Sequence, residues 1–169
     1  MDFGINNFFD KKYKGSKIGH FQDLEHIDGL SISTVSCGLY DKKRDDLVLF
    51  YFREGVNYAN VYTQSKIVSE NIKWNKKIKE KKIFGILINT RNANALTGKD
   101  GYNSLKKISL NLSKLLTSKQ IIDEDKPTEI KSSQILFACT GTIGEKFPEN
   151  VILNNTKNLP HLLAYSIIL

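Results

Sequence analysis

Ile83-Phe84-Gly85-Ile86-Leu87-Ile88 runs without a break into Asn89-Thr90-Arg91-Asn92-Ala93-Asn94-Ala95-Leu96-Thr97-Gly98. The first six residues are a short apolar run with lysines before them and polar residues after, which predicts a buried strand. Gly85 inside that strand points to a close approach by a neighbour. The ten residues that follow have little side-chain bulk and many amide donors and acceptors, so the strand must end in an irregular loop. Residues 102–119 then place Leu105, Ile108, Leu112, Leu115 and Leu116 at steps of three, four, three and one, with lysines opposite. That stripe predicts an amphipathic helix, and Asp100 at its start suits the positive end of the helix dipole. A second buried strand, residues 134–139, follows a charged loop that contains Pro127. Buried strands alternating with an amphipathic helix place the chain in the α/β class.

Upstream, Leu30, Ile32 and Thr34 lead into Val35, Cys37 and Leu39, and residues 40–45 are polar and turn-like. Asp45-Asp46 precedes Leu47-Val48-Leu49-Phe50-Tyr51-Phe52, a near-continuous apolar run expected to be covered on both faces. A hairpin is the simplest connection between the two. Glu54-Gly55 is expected to break the second strand, and the alternation in residues 58–63 suggests a third. Residues 64–82 show a weak helical period, with the lysines as a solvated face and Trp74 as an anchor to the core. Residues 1–20 read as a loosely ordered lead-in. Pro148-Glu149-Asn150 opens a second helix, which Pro160 is expected to interrupt.

The chain has 169 residues, a formal charge of +7, 40% hydrophobic residues and 10% aromatics. It is long enough for one domain with a core, and too apolar for a disordered chain. Arg44, Arg53 and Arg91 are its only arginines, and the lysines are spread over nearly every segment. A nucleic-acid surface would cluster them with aromatics, so none is expected. Cys37 and Cys139 are isolated, and His20, His26 and His161 have no partners at metal-ligand spacing, so neither a disulfide framework nor a metal site is indicated. No apolar run reaches the length of a membrane span. A reduced, cytoplasmic compartment is the expectation.

Two segments could carry chemistry, because each follows a buried strand. In the first, the asparagines either satisfy buried backbone in an irregular loop or line a site. In the second, Cys139-Thr140-Gly141-Thr142-Ile143-Gly144, the glycines permit positive φ and Thr140 offers a hydroxyl beside them. That combination can direct donors at a developing oxyanion, or can simply be a tight turn between strand and helix. A phosphate cradle is disfavoured, since GxxxxGK[ST] is absent and Glu145 follows Gly144. There is no GxSxG elbow and no Cys-His signature.

Taken together, Asn92-Ala93-Asn94-Ala95 with Thr97-Gly98, and Thr140-Gly141 with Ile143-Gly144 and Pro148, resemble the N-terminal half of the ornithine acetyltransferases, or bifunctional glutamate N-acetyltransferases. Ile27-Asp28-Gly29, Asp45-Asp46-Leu47 and Ala59-Asn60-Val61-Tyr62-Thr63 are similar to that family's opening. The resemblance spans residues 21–152, expected to be the α-chain-like α/β domain, with residues 153–169 a divergent C-terminal tail. It implies a layered α/β sandwich of the self-processing, N-terminal-nucleophile-like (DmpA/ornithine acetyltransferase) type, incomplete in this chain.

The implied reaction moves acetyl from N-acetylornithine to glutamate in arginine biosynthesis; some members use acetyl-CoA as donor, and no other cofactor is implied. The family's precursor cuts itself before a threonine, which becomes the nucleophile of a β chain, and the intact enzyme is an α2β2 heterotetramer. By match, Thr140 and Gly141 form the oxyanion hole, and Asn92, Asn94, Thr97 and Gly98 form a site loop. The nucleophile's motif is not found after Thr140. Thr156, between Asn155 and Lys157, does not resemble it. The resemblance therefore implies an α-chain portion that supplies the oxyanion side and is inactive alone. The alternative is a non-catalytic binding or assembly module of the same fold; a related self-processing peptidase fits the Asn-Ala-Asn-Ala motif less well.

Overall fold

The computed structural model describes residues 27–159. The expected lead-in, the three histidines and the break at Pro160 lie outside the described residues. Four strands form one sheet in the order β1 (Leu30–Val35), β2 (Leu47–Asn57), β3 (Lys82–Asn89), β4 (Ile135–Cys139). β1–β2 and β2–β3 are antiparallel, while β3 and β4 are parallel. A parallel pair needs a long crossover. Here it is the helix α2 (Gly98–Asp123), with α1 (Glu70–Lys77) before β3 and α3 (Glu149–Thr156) after β4.

The stripe read from the sequence is the one buried. Leu105, Ile108, Leu112 and Leu116 are fully enclosed against Leu49, Leu87 and Ile135 of the sheet in one core. Each such side chain contributes roughly 1.5–3 kcal/mol by leaving water. Leu115 falls off the stripe and is half-buried. At Gly85 the close neighbour is α2 rather than backbone: a Cβ there would lie 3.6 Å from Leu116 Cδ1, an ordinary contact.

Trp74 anchors α1 as expected, its ring set against Phe137 and Tyr102 and its indole N–H donating to the Ile135 carbonyl at 2.9 Å. Asn75 beside it accepts the Phe137 N–H at 3.0 Å and donates to the Phe137 carbonyl at 2.9 Å. α1 thus covers the outer edge of β4 up to Phe137 with side chains that replace a fifth strand.

Several expectations change. β2 is not covered equally on both faces: Leu47, Leu49 and Tyr51 are buried under the helices, whereas Val48, Phe50 and Phe52 are half-buried. α1 and α2 lie on the first face only, so the apolar run alternates in burial although it does not alternate in hydropathy. Glu54-Gly55 does not end the strand. The register shifts between Tyr51 and Val56, Gly55 takes φ +66°, and pairing with β3 resumes at Val56–Ile83. A Cβ on Gly55 would meet the Phe84 ring at 2.9 Å, so the glycine makes a bulge over that ring. Residues 58–63 form no strand, because both sides of β2 and of β3 are already paired; Val61 is left fully exposed.

Candidate functional site

Both motif loops leave the C-terminal ends of the parallel strands β3 and β4, so they start side by side. An irregular ladder then zips them together. The Thr140 N–H donates to the Asn89 carbonyl (3.1 Å), Thr142 N–H to Arg91 (2.9 Å), Ala93 N–H to Thr142 (3.0 Å), and Gly144 N–H to Ala95 (2.9 Å). Gly141 has φ +134°, and a Cβ there would collide with the Arg91 carbonyl group and come within 2.6 Å of the Asn92 nitrogen. Only glycine lets the second loop lie this close to the first.

The first loop is folded into the protein. Asn92 and Asn94 are 2% and 0% exposed. The Asn92 amide donates to the carbonyls of Glu145 (3.1 Å) and Lys146 (3.3 Å), and its oxygen accepts the Asn94 N–H at 2.8 Å. Asn94 donates to the Gly101 carbonyl at 3.3 Å, accepts the Thr97 hydroxyl at 2.6 Å, and offers its backbone carbonyl to the Glu70 N–H at 2.9 Å. Asn89 donates to the Asn92 carbonyl at 2.9 Å. Arg91, Asn94 and Leu96 hold φ of 77°, 48° and 59°, an unusual density of left-handed non-glycine residues and therefore of strain. Gly98, at φ +61° with open space around its α-carbon, is the residue at which the loop turns into α2.

Asn92, Asn94 and Thr97 are thus brought together, with their polar groups turned inward as staples between α1, α2 and the second loop. Sequence reading missed one member of this cluster, Gly101. Its missing Cβ would overlap the Thr97 hydroxyl and the Asn94 side-chain oxygen. The signal was a glycine in the first turn of an otherwise good helix.

The second loop is open. Thr140 to Lys146 are exposed. Along this stretch alternate N–H groups, those of Thr140, Thr142 and Gly144, point at the first loop. The intervening Gly141 N–H and the Thr140 hydroxyl have no hydrogen bond among the described residues. Gly141 falls in the same alternate set as Ile135 and Phe137, whose outer-edge groups α1 covers. The cover stops at Phe137. Two neighbouring donors, one hydroxyl and one backbone N–H, are therefore presented where the sheet edge is bare.

A broad cleft of about 1150 Å³ lies further along, between the first turn of α2 and residues 144–151. Thr97 lines it; Thr140 and Gly141 do not. At its wall Glu149 accepts from Ser104 (2.7 Å) and Lys107 (2.8 Å), and those hydrogen bonds, Lys107 first, hold its carboxyl below the usual carboxylate range. Arg91 reaches across the loops to Glu145 at 2.7 Å and to the Thr142 hydroxyl at 3.0 Å. Burial pushes the Cys37 and Cys139 thiols up to about 12, with Asp46 adding to the effect at Cys37, so neither is a thiolate nucleophile near neutrality. Among the described residues no group of three His, Cys, Asp or Glu side chains gathers in a metal-binding arrangement, and no helix is long and apolar enough to cross a membrane.

The profile of the ArgJ family matches residues 31–167. The chain belongs to the ArgJ family. The match extends into the segment that sequence reading sets apart as a divergent tail. The arginine biosynthesis bifunctional protein ArgJ of Bradyrhizobium diazoefficiens is 34% identical over 124 residues, 73% of this chain and 27% of that protein. The ArgJ protein of Oceanobacillus iheyensis is 32% identical over 135 residues, 79% of this chain and 30% of that protein. The chain therefore spans less than a third of the length of these curated relatives. Among solved structures, ArgJ from Bacillus halodurans superposes with a TM-score of 0.67 at 25% identity, covering 78% of this chain and 63% of that one. The ornithine acetyltransferase of Mycobacterium tuberculosis, solved with ornithine, gives a TM-score of 0.69 at 21% identity, over 79% and 67% of the two chains. The layered α/β fold is thus that of the ArgJ and ornithine acetyltransferase structures.

Proposed function

We propose that this chain is the α-chain portion of a glutamate N-acetyltransferase that carries acetyl from N-acetylornithine to glutamate in arginine biosynthesis, and that Thr140 and Gly141 form its oxyanion hole. The observation that carries the reading is a pair of donors just past β4, the Thr140 hydroxyl and the Gly141 N–H, which have no partner among the described residues. The backbone on either side of them is held by the ladder to the first loop, which favours a preorganised pair when charge develops. In the reaction, a threonine Oγ bonds to the acetyl carbonyl carbon while its proton passes to the threonine's own amine. The carbonyl oxygen becomes the oxyanion facing Thr140 and Gly141, and its collapse expels ornithine as the amine. The glutamate amine then attacks the threonine ester through a second oxyanion at the same place, whose collapse breaks the bond to the threonine Oγ, returns the amine's proton to that oxygen and releases N-acetylglutamate.

The nucleophile in this reading comes from a β chain. Thr156 does not compete for that role: it is fully buried, and its hydroxyl donates to Leu153 and Asn111 at 2.8 and 2.9 Å. The half-buried apolar face made by Val48, Phe50, Phe52, Ile86 and Ile88 supports a second layer over the sheet, as in an α2β2 assembly of paired chains. The site needs no cofactor beyond acetyl-CoA, should that serve as donor, and the reading places the enzyme in the cytoplasm.

The test is acetyl transfer from N-acetylornithine to glutamate, measured with the purified chain and again after a β chain is supplied in trans. The chain alone should be inactive. In the reconstituted enzyme Thr140→Ala should lower kcat by roughly 10²- to 10³-fold, the usual cost of one oxyanion donor. Turnover by the isolated chain, or an unchanged kcat in the variant, would overturn the assignment.

A further inference from the structure

The Asp46 carboxylate is 1% exposed and has no cationic side chain beside it among the described residues. Its two oxygens are instead spent on backbone: Oδ1 accepts the Cys37 N–H at 2.7 Å and Oδ2 accepts the Leu39 N–H at 2.8 Å. Burying a carboxylate without a counter-ion costs several kcal/mol, far more than a tight turn requires. Its neighbour Asp45 shows the cheaper arrangement, exposed and holding only the Thr34 hydroxyl at 2.8 Å.

What the buried carboxylate achieves is a fixed backbone at the start of β2. The Asp46 N–H donates to the Val35 carbonyl at 3.2 Å, and the Asp46 carbonyl accepts the Thr90 N–H at 2.9 Å and the Thr90 hydroxyl at 3.5 Å. Thr90 is the first residue of the motif loop after β3. The residue before it, Asn89, takes the Thr140 N–H at 3.1 Å. A continuous path of main-chain hydrogen bonds therefore runs from the Asp46 clamp, through Thr90 and Asn89, to the residue that carries the free hydroxyl.

We infer that Asp46 is a positioning residue for the Thr140–Gly141 donor pair: its carboxylate grips residues 37 and 39 so that its own carbonyl sets Thr90, and Thr90 sets the strand end against which Thr140 lies. The catalytic meaning of this rests on the oxyanion reading above. The positioning itself does not, and the experiment separates the two.

Amide hydrogen exchange and ¹H–¹⁵N spectra are recorded on the full chain as wild type, Asp46→Asn, Asp46→Glu and Asp45→Asn. Asp46→Asn leaves one side-chain acceptor where two are needed. It should speed exchange at Thr90 and Thr140 by about tenfold or more relative to Leu87 in the centre of β3, and should move the Gly141 amide resonance. Asp45→Asn should leave all three amides as they are. Wild-type exchange at Thr90 and Thr140, with only the Cys37 and Leu39 amides opened, would overturn the inference and leave Asp46 as a turn clamp. If Asp46→Asn also loses protection at Leu87, Asp46→Glu decides by the same criterion, since it keeps charge and both acceptors but displaces them by one methylene. No acetyl transfer enters the readout, so a failed activity assay would leave this result standing.

Discussion

The loop at residues 89–98 holds three asparagines and two threonines, and the buried amides of Asn92 and Asn94 are satisfied within the protein. The loop at residues 140–144 holds two threonines and two glycines, and it presents a hydroxyl and an N–H with no partner among the described residues. The loop richer in polar side chains closes on itself, and the plainer one leaves donors open. Buried polar groups must find partners, so a dense polar loop that is buried closes on itself. A glycine-rich loop on an exposed edge has no side chains to close with, and its backbone stays available.

Four measurements would break or sharpen this contrast. Gly141→Ala should have the largest effect, a loss of roughly 3–4 kcal/mol in urea unfolding, because its Cβ meets backbone and its φ is positive. A loss under about 1 kcal/mol would mean the two loops are not locked together. Asn94→Ala should cost about 2–3 kcal/mol, since the Thr97 hydroxyl and Gly101 carbonyl lose their partner in a buried place. A variant of unchanged stability would move the scaffold role away from the first loop.

Glu149 links the helices that follow the two loops, and its effect should be smaller, under about 1 kcal/mol, because Lys107 is largely exposed. Its folded-state carboxyl titrates below the ordinary 4.5, so the contribution is present above that value and is lost as pH falls through the lowered one. Glu149→Gln should flatten that part of the stability profile as pH falls below the ordinary 4.5; an identical profile would show that the pair adds nothing. Thr140→Ala comes last, within about 0.5 kcal/mol of wild type, because its hydroxyl is exposed and has no partner among the described residues. A clear loss of stability there would place Thr140 in the scaffold with the asparagines.

Much of the fold was legible because its signals are local and strong. The stripe from Leu105 to Leu116, Leu115 apart, packs into the core as its spacing predicts, and the runs at residues 47–52 and 83–88 form strands, the first buried on one face rather than both. The errors fall where the outcome depends on a neighbour. Residues 58–63 alternate like a strand but find both adjacent strands paired. Glu54-Gly55 looks like a stop, and becomes a bulge because Phe84 lies beneath it. At the site, sequence reading left the asparagines open between scaffold and function, and Gly101 gave no sign of its partners until Asn94 and Thr97 were seen to fill the space above it.

By itself the sequence determined the two buried strands, the amphipathic helix between them, and the two loops in which chemistry could sit. Period and composition suffice for these, because burial of one face is set by spacing along the chain. Only the tertiary structure decided which loop faces inward. That depends on α1 covering β4 as far as Phe137 and no further, and on the Asp46 main-chain carbonyl, which accepts the Thr90 N–H and so ties β2 to the first loop. Both are contacts between segments some forty or more residues apart, where hydrogen-bond geometry in three dimensions, and not residue type, settles which donors are spent and which stay free.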